Sequence, residues 1–159
     1  IQELGLVRLP SIESLLSIRR AQTAIDSGEN ALLSQEINDS MRETIHQSFA
    51  AAKEDAQKAW ATYEPLPQTA EEKKLWDQFV PAWKEWMAKH DEYVRYVEVY
   101  QQSKSNDDYK KMSECALVTI APHFAKAQDL LEKIVTVNRE VGDEEVKWFC
   151  GFNLTPRNV

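Results

Sequence analysis

The chain has 159 residues, 43% hydrophobic and 28% charged, with a formal net charge of −7. That length bounds one domain with room for a real core, and the negative charge disfavours nonspecific binding to nucleic acid or to an anionic membrane surface. There are 4 glycines, fewer than the many tight turns of an all-β fold would usually need.

The spacing of apolar residues predicts four long helices. The first runs from about Leu4 to Ser27, with Leu15, Ile18, Gln22 and Ile25 on one face. Pro10 marks its start or a kink, and Gly28 is suited to a left-handed residue that ends it. The second runs from about Ser34 to Tyr63. Ile45, Phe49, Ala52, Ala56, Ala59 and Tyr63 step by three and four, a heptad seam. Pro65 and Pro67 stop it.

Thr69 and Glu72 form a capping-box pattern that opens the third helix. Its seam is Trp76, Phe79, Trp83, Trp86, His90, Tyr93, Val97 and Tyr100, with Pro81 inside and expected to bend it gently. A polar turn at 104–106 leads to the fourth helix, where Asp107 and Asp108 complement the positive end. The fourth seam reads Ala116, Ile120, His123, Ala127, Leu130, Ile134, Val137 and Val141, with Pro122 interrupting. Gly142 is expected to end the regular pattern, which divides the chain into a bundle over 1–141 and an irregular tail over 142–159. Short connections make consecutive helices antiparallel neighbours, so the expected fold is an all-α, up-down-up-down four-helix bundle.

Cys115 and Cys150 make no CxxC pair and no CxxCH haem-attachment motif. They leave two readings, a disulfide or a buried Cys115 with a surface Cys150. No apolar run approaches the ~20 residues of a membrane span. The chain begins mid-pattern at Ile1-Gln2-Glu3-Leu4 with no signal peptide, as an excised domain would.

Catalytic motifs are not in evidence. Glu43-x-x-His46 occurs once, whereas a di-iron bundle needs two such motifs and further inward glutamates. No zinc-protease, phosphate-loop or nucleophile-elbow pattern is present, and the expectation is a non-enzyme without a cofactor. The candidate ligand-binding residues are Arg19, Arg20, Arg42, His46, His90, Tyr93 and Thr119. The turns near 28–33 and 103–106 share one pole, called distal, and counting from them puts His46, His90 and Thr119 at one level, and Arg19, Arg20, Arg42 and Tyr93 about one turn nearer that pole. Such a layer could grip an anion, ligate a haem through two histidines, or simply fix helix register. Arginine's planar guanidinium suits a carboxylate.

Several stretches resemble one family. Leu15-Leu16-Ser17-Ile18-Arg19-Arg20-Ala21-Gln22 is similar to the first helix of the four-helix-bundle sensor domains of methyl-accepting chemotaxis proteins. Ala59 to Pro67, Glu71 to Trp76, Trp83 to Trp86 and Leu130 to Asn138 are similar to its later helices, in the same order. The resemblance implies a periplasmic domain of an inner-membrane receptor, working as a homodimer. It further implies an amino acid or organic acid bound between the first and fourth helices, and signalling by a small displacement of the fourth. Arg19 and Arg20 match the placement of that family's ligand-gripping arginines. The residues keep two rivals open: a haem- or metal-binding bundle, and a bundle that binds a protein partner and no small ligand.

Overall fold

The computed structural model describes residues 4–153, with side chains from 5 to 148. The chain forms α1 (Leu9–Leu32), α2 (Asp39–Tyr63), α3 (Ala70–Ser103), α4 (Asn106–Glu114) and α5 (Ala121–Asn153). A π-helical turn, Cys115–Ile120, joins α4 and α5 into one rod, and another, Leu4–Arg8, leads into α1. The architecture is the all-α four-helix bundle that the periodicity predicts.

Local chemistry sets the boundaries. Pro10 lies in the first turn of α1, directly after the π-helical turn that leads into it. The Asn38 side chain caps α2, accepting from the Met41 N–H at 2.9 Å. Thr69 and Glu72 complete the expected capping box: the Glu72 N–H donates to Thr69 Oγ1 at 3.2 Å and the Thr69 N–H to Glu72 Oε2 at 2.8 Å. Lys104 ends α3 with φ 52°, and Ser105 caps α4 by accepting from the Asp108 N–H.

The predicted faces point inward. Leu15, Ile18, Gln22 and Ile25 of α1 are buried, as are Phe49, Ala52, Ala56, Ala59 and Tyr63 of α2. Trp76, Phe79, Trp86, His90, Tyr93 and Val97 of α3 join them, while Trp83 and Tyr100 are half-buried. Each fully buried large side chain contributes roughly 1.5–3 kcal/mol of transfer free energy. The closest helix pairs are α1 with α2 and α3 with α5. The α2–α3 seam is looser and is filled by side chains, with the rings of Trp60 and Trp76 4.5 Å apart between centroids.

Four boundary and phase expectations are corrected. α1 does not end at Gly28 but runs to Leu32, and Gly28 has no positive φ. Gly28 is there for space: a Cβ built on it would lie 2.3 Å from Cε1 of Phe49 on α2. α2 starts at Asp39 rather than Ser34, because Asn38 supplies the cap. α5 passes through a buried Gly142 without a break and continues to Asn153, so the regular pattern does not stop at residue 141. The rest of the expected tail, 154–159, and the Cys150 side chain lie outside the described residues.

The fourth correction concerns the last rod. Its buried positions run Met112, Cys115, Ile120, Ala127, Leu130, Leu131, Ile134, Val135 and Asn138. The step from Cys115 to Ile120 is five residues, as a π turn allows. This turn precedes Pro122, whose ring would press on the carbonyl of Val118 in a regular α-helix. The wider turn carries Leu117 and Val118 outward, where they are 62% and 64% exposed. His123, expected inward, sits at the surface edge with Nδ1 3.9 Å from a Glu85 carboxylate oxygen.

Gly28→Ala is therefore expected to destabilise the bundle by about 1–2 kcal/mol. Overpacking against the Phe49 ring costs roughly 1–3 kcal/mol, which outweighs alanine's helix-propensity gain of up to ~1. A thermal melt checks the sign; a higher melting temperature would mean that Phe49 moves aside freely.

Candidate functional site

The structure divides the seven candidate residues among separate places. His90 is fully buried, and its Nδ1 lies 2.6 Å from Oε1 of Glu29 on α1 in a hydrogen bond. The Tyr93 hydroxyl donates to the Glu29 carbonyl oxygen at 2.8 Å. Glu29 was hidden in the sequence by the expectation that the first helix stops at about Ser27. Burial pushes its carboxyl above the usual range, and the His90 hydrogen bond pulls it part of the way back. Burial, with the Glu29 charge nearby, also raises the Tyr93 phenol.

His46 belongs to the same layer but does not face His90. The Phe49 ring stands between them, 5.9 Å from His46 and 4.8 Å from His90 by centroids, edge-on to both. A haem held by both imidazoles would need that ring gone. Among the described residues, no group of three or more His, Cys, Asp or Glu side chains converges as a metal site would require. Arg42 is buried and turned to its own loop, where Nη2 donates to the Ile37 carbonyl at 3.1 Å. Thr119 is half-buried on the π turn, which packs on α3.

Arg19 and Arg20 lie elsewhere. Glu29 shares the level of His90, so Arg20 is nine residues, about 14 Å, nearer the proximal pole. The expectation that they sit one turn distal of His90 is overturned, because the two distal turns are not level: Glu29 lies three residues from the end of α1, whereas His90 lies thirteen from the end of α3. Both arginines are exposed. Among the described residues Arg20 bonds along its own helix, with Nη2 donating to Ser17 Oγ at 3.2 Å and Nε to the Leu16 carbonyl at 3.4 Å. Among the described residues neither guanidinium meets a carboxylate, whereas Lys53, Lys58, Lys73, Lys89, Lys111, Lys126 and Lys133 each do. Arg20 also lines a groove of about 640 Å³ between α1 and α2.

The most deeply buried ionic cluster was not foreseen. At the proximal pole, Arg8 Nη1 donates to Glu72 Oε2 at 2.8 Å and to Asn138 Oδ1 at 3.3 Å. Arg8 is 2% exposed, and Glu72 and Asn138 are not exposed at all. The cluster ties the start of α1 to α3 and α5. Burial and the neighbouring Glu72 charge push the adjacent Tyr63 phenol well up. One sequence signal was available: Asn138 is a polar residue in an otherwise apolar inward stripe.

The chain belongs to the family of four-helix-bundle sensory modules for signal transduction, which matches residues 2–147. This is the sensory module of methyl-accepting chemotaxis proteins, a signalling family and not an enzyme family. Neither a curated protein nor a solved structure matches the chain significantly.

Proposed function

We propose that the chain is the periplasmic ligand-sensing domain of an inner-membrane chemoreceptor, and that it binds a small anionic metabolite of the organic-acid or amino-acid class. The observation that carries this reading is the pair Arg19 and Arg20. In a chain of net charge −7, two exposed guanidiniums on α1 have no carboxylate partner among the described residues. A carboxylate ligand would supply it by charge-assisted, potentially bidentate hydrogen bonds. The receptor works as a homodimer, and its output is a small displacement of the fourth rod, α4–α5. No described helix is long and apolar enough to cross a membrane, so in this reading the anchoring segments belong to other parts of the receptor.

In this reading His90, Tyr93 and Arg42 hold helix register, since each makes a hydrogen bond within the bundle. A thermal-shift screen of the chain against organic acids and amino acids tests the proposal. A ligand at ~100 times its Kd adds about 2.7 kcal/mol of stability. Arg19→Ala with Arg20→Ala is expected to abolish the shift and leave the unliganded melt unchanged within about 0.5 kcal/mol. A confirmed ligand whose affinity survives both changes would remove the arginines from the site.

A further inference from the structure

The loose seam between α2 and α3 carries two indoles that belong only in part to the core. Trp76 and Trp86 are buried in the core, but Trp60 and Trp83 are only half-buried. Their ring centroids are 6.2 Å apart and their planes are inclined by 59°. They open onto a groove of about 720 Å³ between the two helices, whose wall includes Met87 and the small side chain of Ala56. That volume is in the range of small-molecule sites, which are mainly apolar with a few placed polar groups.

The polar groups of this groove are arranged with a direction. At the distal end Lys53 and Asp91 pair with each other at 2.9 Å, so an acid group placed there would meet the Asp91 carboxylate along with the ammonium. Lys84, next to Trp83, is exposed on the groove and forms no ion pair among the described residues. Glu64 stands at the proximal end and would repel an anionic group placed there. A flat ring over the indoles would gain stacking and hydrophobic contact. A single carboxylate on that ring has one favourable place to go, the Lys84 ammonium.

We infer that the α2–α3 groove is a second small-molecule site, taking a flat aromatic monocarboxylate with its ring on Trp60 and Trp83 and its acid group on Lys84. The site lies on a different seam from Arg19 and Arg20 and does not depend on them.

Isothermal titration of the 159-residue chain with indole-3-acetate tests this. Saturation at one equivalent is expected, with affinity weakened about tenfold or more by Lys84→Glu, an exposed change that leaves the core intact. Trp60→Ala is expected to weaken it similarly, uncharged indole to bind less tightly than the acid, and Arg19→Ala with Arg20→Ala to have no effect. Several results would overturn the assignment: no saturable heat up to ~10 mM, affinity unchanged by Lys84→Glu, or binding lost in the arginine variants instead. So would a chain that self-associates through this groove, shown by sedimentation as a dimer that Lys84→Glu dissolves.

Discussion

Glu72→Ala is expected to lower the free energy of unfolding by about 3–5 kcal/mol, the usual cost of removing one partner of a buried ion pair. Two losses combine at this position. The carboxylate that meets Arg8 at 2.8 Å disappears from a site where both side chains are buried. The same oxygen also accepts from the Thr69 N–H, so half of the capping box of α3 goes with it. Urea denaturation of both variants separates charge from packing. Arg8→Met combined with Glu72→Leu is expected to recover much of the loss, since an apolar replacement of a whole buried pair is often nearly neutral. If the double variant is no better than Glu72→Ala, the capping bond rather than the ion pair carries the effect.

His90→Leu is expected to cost about 2–4 kcal/mol at neutral pH, through a lost hydrogen bond and a Glu29 carboxyl left buried without its ring partner. The pH dependence follows from Glu29. Its folded carboxyl titrates above the usual 4.5 because burial outweighs the His90 interactions, which pull it down. A carboxyl raised in the folded state gives stability that is present below its unfolded pKa and lost as pH rises through the folded one. Without His90 the carboxyl rises further, so more stability is lost over that interval. The deficit of His90→Leu against the wild-type chain should therefore grow as pH rises above 4.5. Denaturant melts from acid to neutral pH measure it. A deficit that stays flat would mean that His90 acts on Glu29 only through packing.

Much of the bundle was legible because helical period, caps and proline positions are local properties. The α3 seam from Trp76 to Tyr100 and the Thr69–Glu72 box could be read from neighbouring residues alone. Gly28 and Gly142 could not be read so. A glycine at a helix end and a glycine under a neighbouring ring have the same sequence signature, and the Phe49 contact decides which one applies. The candidate site was less legible for a related reason. Periodicity says that His90 points inward but not that Glu29 awaits it 61 positions away. The Arg8–Asn138 bond spans 130 positions, and no spacing rule reaches that far. Arg19 and Arg20 were misplaced in depth because levels were counted from two distal turns taken as even, whereas α3 runs about ten residues further past the Glu29–His90 contact than α1 does.

The π turn at Cys115–Ile120 leaves the last rod with one residue in reserve. A regular α-helix ties length to rotation, so a residue gained or lost anywhere turns everything beyond it by about 100°. A π turn breaks that tie locally, because it holds the extra residue as a bulge while both flanks keep their faces to the core. Collapse to α geometry would force that rotation on one flank and bring the Val118 carbonyl onto the Pro122 ring, so the bulge stays where it is and sets the phase of the rod that carries Asn138.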